Sequence, residues 1–159
     1  LDVIAEDDDI LVVNKPAGLV VHPSPGHWTG TLINRVVHHL HDQLPFPENG
    51  TLARLRPGVV HRLDIDTSGV IVIAKSRTAF AALSEAFKER EVKKTYLAVA
   101  AGLRSIFRGF TEPGSGYTIE LPLGRHPYER TKRAVVPEVA GGRPAQTAVR
   151  ALAEHPTNK

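Results

Sequence analysis

The sequence predicts a mixed α/β fold of the α+β kind, a largely antiparallel sheet flanked by helices. Three observations carry that expectation. Two apolar runs, Ile10–Val13 and Leu19–Val21, stand on either side of a tight turn, Asn14-Lys15-Pro16-Ala17-Gly18, as in a pair of strands around a short connection. Val70–Ala74 reads Val-Ile-Val-Ile-Ala, continuously apolar and β-branched, the pattern of a strand buried on both faces. Two further stretches repeat their apolar residues at helical spacing.

The elements follow in order. After the punctuation His22-Pro23-Ser24-Pro25-Gly26, Thr31–His41 reads as a helix with Leu32, Val36, Val37 and Leu40 on one stripe, capped by Thr29 or Thr31. The Pro/Gly-rich segment Leu44–Gly58 is expected to be a loop. Ser76 can cap a second helix, in which Phe80, Leu83 and Phe87 form the apolar stripe while Glu85, Lys88, Glu89 and Arg90 face water. Thr95–Ala100 reads as a strand, Gly102–Gly116 as a loop, and Tyr117–Leu121, Arg133–Val136 and Thr147–Ala153 as short strands. No repeat, low-complexity tract or long linker divides the chain, so residues 1–159 are expected to form a single domain.

Composition narrows the function class. With 159 residues, 42% hydrophobic and 23% charged, the chain matches a soluble globular domain and excludes a disordered or fibrous one. No apolar run reaches the roughly 18 residues of a membrane span. The absence of cysteine removes disulfides, thiolate metal sites and thiol nucleophiles, and fits the cytoplasm. With no methionine and a start at Leu1, a piece of a longer protein is expected. The net charge of +3 is unevenly spread: Asp2, Glu6, Asp7, Asp8 and Asp9 fall in the first ten residues, leaving 20 bases against 12 acids beyond them. That excess suits a polyanionic partner.

The segment with the most chemistry is Gly58-Val59-Val60-His61-Arg62-Leu63-Asp64-Ile65-Asp66-Thr67-Ser68-Gly69-Val70, a polar cluster set at the edge of an expected core, where unpaired polar groups are costly. Asp64-x-Asp66-x-Ser68-Gly69 opens like a calcium loop, but position twelve, which must be a bidentate acid, is Lys75. Asp66-Thr67-Ser68-Gly69 is close to an aspartic-protease turn, but glycine does not follow the threonine directly and no second such turn supplies the dyad. A single catalytic carboxylate flanked by a base-displacing arginine is the third reading.

Here the residues become recognisable. His61-Arg62-Leu63-Asp64-x-x-Thr67-Ser68-Gly69 resembles the signature of the RluA/RluD-type pseudouridine synthases. Asp8–Pro23 is similar to that family's opening motif, Phe87–Ala98 to its middle motif, and Arg125-His126-Pro127 through Ala148 to the strand pair that follows. The resemblance implies isomerisation of uridine to pseudouridine in RNA, most like the branch acting on large-subunit ribosomal RNA. It implies Asp64 as the catalytic carboxylate, Arg62 as the side chain filling the gap left by the flipped nucleotide, and Tyr96 as the aromatic face against the uracil. Lys15 and Pro16 match a motif read as structural. The reaction breaks the N1–C1′ bond and rejoins the base through C5, so no cofactor or metal is implied. The partner is RNA, with no membrane, and the chain is expected to act as a monomer. The family continues into a motif of the Gly-Arg-Thr-His-Gln-Ile-Arg kind, whose arginine pairs with the aspartate. The chain stops at Lys159 without it, so a partial catalytic domain is expected.

Plainer readings stand beside these. Asp64 could serve a turn, Arg62 could simply pair with Asp64 or Asp66, and Tyr96 could be a core tyrosine. A non-catalytic RNA-binding module, a synthase acting on transfer RNA, and a nucleotide or carbohydrate enzyme using Asp64 with Asp66 are the alternatives. His38, His39 and His41 read as a solvated helix face rather than a metal site. The run Arg125–Arg133 is either a phosphate-contacting hairpin or a basic surface loop. Trp28 either stacks on a nucleotide or covers a core edge.

Overall fold

The computed structural model describes residues 1–41, 56–100, 114, 116–129 and 132–153. They fall into two compact units, Leu1–Thr95 and Tyr96–Lys159. Most of the expected loops 44–58 and 102–116 lies outside the described residues.

The first unit is built on an antiparallel sheet in the order β1 (Val3–Glu6), β2 (Ile10–Lys15), β3 (Gly69–Ala74). Strand β1 was not expected from the sequence, because it is only four residues long, Val-Ile-Ala-Glu, without alternation, and all its positions are exposed. Its turn into β2 is made by Asp7, whose Oδ1 accepts from the Asp9 and Ile10 amides at 2.8 and 2.7 Å, an aspartate turn that the side chain closes by itself. Strand β2 runs two residues further than expected, because Asn14 and Lys15 stay in register opposite Val70 and Gly69. The period of two then places Leu11, Val13 and Lys15 together on the inner face.

Opposite them, Ile71 and Ile73 of β3 point the same way. Leu11, Val13, Ile71 and Ile73 pack with Leu32, Ile33, Val36 and Leu40, and with Leu19, Val21 and Leu63, into one core. Each buried aliphatic side chain of this kind contributes roughly 1.5–3 kcal/mol. The expectation that β3 is buried on both faces is corrected: Val70 is 59% exposed and Val72 only half-buried, so the strand has one inner face and one outer face.

Helix α1 (Leu32–His39) begins at Thr31, which together with Asn34 forms a capping box. Its next two amides are met from outside: Leu32 and Ile33 donate to the carbonyls of Val20 and Val21 at 2.8 and 2.9 Å. This is why Leu19–Val21 is not the strand expected. Its side chains reach the core, but its carbonyls satisfy a helix terminus instead of a ladder. Helix α2 (Arg77–Lys88) is capped by Ser76, whose Oγ accepts from the Ala79 amide. Phe80, Leu83 and Phe87 are half-buried on its inner stripe and Glu85, Lys88, Glu89 and Arg90 are exposed, as the spacing requires. The helix packs against β3.

The acidic opening of the chain has a structural use. Lys75, at the β3–α2 junction, donates from Nζ to the Glu6 carboxylate at 2.7 Å and to the Asp7 carbonyl, while its amide bonds the Asp9 carbonyl at 2.7 Å. Ser76 donates to the Asp9 carboxylate. The β1–β2 turn is thus tied to the start of α2.

Among the described residues, the second unit holds two antiparallel ribbons: β4 (Gly116–Glu120) with β7 (Gln146–Arg150), and β5 (Leu123–Arg125) with β6 (Arg133–Val135). A short 3₁₀ turn, Glu138–Ala140, precedes β7. Strand β7 ends three residues before the expected boundary at Ala153. The expected strand Thr95–Ala100 is a correction: it joins no ladder among the described residues, and Leu97 and Val99 are exposed. An alternating apolar run becomes a strand only where an edge receives it.

Candidate active site

The polar segment before β3 is held along the outer edge of that strand. Val59 donates to the Arg56 carbonyl at 3.2 Å, closing a turn over Pro57 and Gly58, and Ala74 donates to the Gly58 carbonyl at 2.9 Å. Gly58 has φ +70°, and a Cβ there would run into the Ala74 carbonyl oxygen and lie 2.9 Å from Ile73 Cγ2, so the approach requires glycine. Val59 makes a bridge with Ile73. Two residues on, the Val72 amide donates to His61 Nε2 at 3.0 Å, which places the ring's own proton on Nδ1. The imidazole therefore stands where a neighbouring strand's carbonyl would otherwise be. It also stacks on Phe87 of α2, with centroids 4.5 Å apart and planes 17° from parallel. Burial pushes the His61 pKa down, and the charge of Lys94 adds to that, so the ring is kept in the neutral form that accepts the bond.

Beyond His61 the side chains alternate. Leu63 turns into the core, whereas Arg62 and Asp64 point out. The Asp64 carboxylate is 85% exposed and meets Arg62 Nη2 at 3.5 Å. A pair this long and this exposed contributes little stability, so neither side chain is committed to holding the fold. The Asp64 carbonyl accepts from the Thr67 amide at 3.1 Å, which turns the chain back toward β3.

A buried cation anchors this turn. Lys15 is 0% exposed, and its Nζ donates to the carbonyls of Pro16 at 3.0 Å, Leu19 at 2.8 Å and Ile65 at 3.0 Å. The Gly18 amide donates to the same Ile65 carbonyl at 2.8 Å. The residue after Asp64 is therefore fixed twice, from a strand fifty positions earlier and from the loop that follows it. Burial lowers the Lys15 pKa, and the charges of Asp66 and Asp64 oppose that shift. All three ammonium protons have partners, as a buried charge requires.

Of the residues singled out from the sequence, Arg62 and Asp64 are brought together on this turn. Tyr96 opens the second unit, is 57% exposed, and lies on backbone that joins no strand, so it is not the core tyrosine of the plainer reading. Trp28 is exposed rather than covering the core. His38, His39 and His41 are exposed, and His39 Nε2 meets Glu6 Oε2 at 2.8 Å. At the two ends of the run 125–133, Arg125 of β5 stands directly opposite Arg133 of β6, and both are exposed. Like charges in that register disfavour the pairing. A structural role was expected for Lys15, though not its three carbonyl partners, and the functions of Gly18 and His61 as anchors were not read from sequence. For Lys15 a signal existed, since it falls in phase with Leu11 and Val13. For His61 none did, because its partner is an edge amide that only the fold presents.

Comparison with known proteins follows the same residues. The family described as RNA pseudouridylate synthase matches positions 9–159. A ribosomal large subunit pseudouridine synthase D from Neisseria meningitidis serogroup B is 44% identical over 158 residues, covering 99% of this chain and 37% of its own length. An uncharacterized RNA pseudouridine synthase from Synechocystis is 41% identical over 152 residues, covering 96% of this chain and 42% of its own length. This chain thus spans about two-fifths of such relatives. Among solved structures, human RNA pseudouridylate synthase domain containing 1 superposes with a TM-score of 0.58 at 20% identity, covering 93% of this chain and 50% of that one. The fold is accordingly a part of the pseudouridine synthase fold.

Proposed function

Because this chain belongs to the RNA pseudouridylate synthase family, we propose that it forms part of a catalytic domain, spanning residues 1–159, that converts uridine to pseudouridine in RNA with Asp64 as the reacting carboxylate. The observation that carries the assignment is the contrast at the turn: an exposed, loosely paired carboxylate on backbone fixed by a fully buried lysine. Rigid backbone under a free side chain is what positioning catalysis needs.

In the reaction the N1–C1′ bond breaks, the uracil turns, and a C5–C1′ bond forms. The proton on C5 leaves to solvent and N1 gains one, so atoms and charge balance without an oxidant or an added group. A carboxylate beside the sugar can act as nucleophile at C1′ or remove a sugar proton. The uridine must first leave its stack. Arg62, two residues from Asp64, then occupies the gap, and Tyr96 lies against the flipped base, where stacking contributes about 1–3 kcal/mol. The exposed bases of the β5–β6 hairpin supply contacts to the RNA backbone. Large-subunit ribosomal RNA is the preferred substrate, in keeping with relatives that carry that name, and the site of action is the cytoplasm.

The test is tritium release from [5-³H]uridine-labelled RNA, with large-subunit ribosomal and transfer RNA transcripts offered separately. The chain is assayed alone and extended through the family's Gly-Arg-Thr-His-Gln-Ile-Arg motif. Release from ribosomal RNA supports the reading. Release only from transfer RNA moves the substrate, and salt-dependent binding without release by either form leaves a binding module.

A further inference from the structure

The β5–β6 ribbon carries an aromatic side chain that the fold hardly buries. Tyr128 is 89% exposed, yet the backbone beneath it is closely held. His126 Nδ1 accepts from the Tyr128 and Glu129 amides at 3.3 and 3.0 Å, so the imidazole proton stands on Nε2. The His126 amide donates to the Lys132 carbonyl at 3.0 Å, and the Lys132 amide to the Glu129 carbonyl at 2.8 Å. At the other end of the ribbon Leu123 and Arg143 exchange both backbone bonds, at 2.9 and 3.0 Å. The rings of His126 and Tyr128 meet edge-on, with centroids 6.1 Å apart and planes 63° from parallel. That contact steadies the tyrosine and leaves a ring face open to solvent.

The unpaired charge on this ribbon is positive. Arg125 stands directly opposite Arg133, and neither guanidinium has a carboxylate partner among the described residues. The acid of the turn, Glu129, is already engaged by Lys132 at 2.6 Å. Two guanidinium groups in a register that repels call for an anion, and an exposed ring on fixed backbone calls for a flat apolar face. An unpaired nucleic-acid strand carries both, a phosphate and a base in every residue. An inorganic anion supplies only the first, and a duplex hides its base faces in its own stack.

We propose that Tyr128, steadied by His126, is a stacking platform for an unpaired base of the RNA other than the uridine that reacts, with Arg125 and Arg133 on neighbouring phosphates. This rests on the RNA reading above and deepens it. The substrate has to offer a second unpaired nucleotide, so a single-stranded segment is favoured over a duplex. Stacking accepts any base, so the platform sets position along the strand rather than sequence. A tyrosine on backbone already fixed gives up little freedom when the base arrives.

The experiment measures binding of the chain to three RNAs of equal length: a uridine-rich single strand, an abasic single strand and a duplex. Tyr128→Ala should weaken binding of the uridine-rich strand about tenfold and change binding of the abasic strand and the duplex by less than about twofold. Its salt dependence should stay unchanged, because no charge is removed. Tyr128→Leu, which keeps apolar bulk without an aromatic face, should lose as much as the alanine variant, and Tyr128→Phe should bind like the unsubstituted chain. Arg133→Ala should instead lower the salt dependence by about one counterion on both single strands. Because Tyr128 is exposed, the tyrosine variants should unfold at the urea midpoint of the unsubstituted chain, and the leucine–phenylalanine comparison decides if the alanine variant misfolds. Unchanged affinity, or equal losses on the uridine-rich and abasic strands, overturns the platform while the RNA reading stands. Leucine binding as well as phenylalanine also overturns it, since apolar contact then suffices. No binding of any RNA by the unsubstituted chain overturns the platform and the RNA reading together.

Discussion

An ammonium with no exposed surface has three protons to place, and Lys15 places them on the carbonyls of Pro16, Leu19 and Ile65. Removing the donor while keeping the bulk, as in Lys15→Met, leaves those three oxygens to be satisfied elsewhere. We expect a loss of about 2–4 kcal/mol in urea unfolding, because each abandoned buried acceptor costs more than the bond it made. The damage should be local to function as well: Ile65 follows Asp64 directly, so the carboxylate loses its fixed backbone. An unfolding midpoint equal to that of the unsubstituted chain would show that the lysine is a passenger. Arg62 and Asp64 were legible as residues because their types and spacing are distinctive. The anchoring function of Lys15 was half legible, through its phase on β2, and that of His61 not at all, since an acceptor for Val72 can be recognised only once β3 has an edge.

At the scale of elements, the strip 56–64 depends on one backbone geometry. Gly58 sits at φ +70° against the Ala74 carbonyl, and both the approach and the sign of φ exclude a side chain. Gly58→Ala should cost more than about 2 kcal/mol and speed hydrogen exchange at Ala74 and Val72, whose amides bond Gly58 and His61. Slow exchange retained at both amides would contradict the account.

The helices were read well because periodicity and caps are local signals: Thr31 and Ser76 each stand at the N-cap. Strands were read less well because they need partners. Leu19–Val21 has the side chains of a strand yet its carbonyls go to Lys15 and to α1, and Thr95–Ala100 has the alternation yet joins no ladder among the described residues. Strand β1 is four residues long with no alternation, and is a strand because Asp7 turns it onto β2.

Across the whole chain, the uneven charge resolves into two uses. The acids at the start tie the β1–β2 turn to Lys75 and Ser76, whereas the bases beyond them include Arg56, Arg62 and the β5–β6 hairpin. Acid stability should reflect this in two steps. His22 and His61 are held below the ordinary histidine range, chiefly by burial. The unfolded chain therefore takes up protons that the native state refuses, and stability falls as pH drops below about 6.5 toward the native values. Glu6 and Asp7 are held low, Glu6 first by its bond to His39 and then by that to Lys75, Asp7 by the amides of Ile10 and Asp9. Their contribution is complete above the ordinary carboxylate range, about 4, and is lost as pH falls through their lower native values. Urea midpoints at pH 7.5, 5.5 and 3.5 should decline in both intervals, and His61→Gln, which keeps an acceptor for Val72, should flatten the first. A first interval unchanged by that substitution would remove His61 from the account.

The central claim is that Asp64 performs chemistry on a turn whose stability does not depend on its side chain. The direct measurement is Asp64→Asn in the chain extended through the family's arginine motif, with RNA affinity and single-turnover tritium release determined on the same preparation. We predict affinity within about threefold of the unsubstituted protein and release reduced by at least about 10³-fold. Release at an undiminished rate would contradict the account.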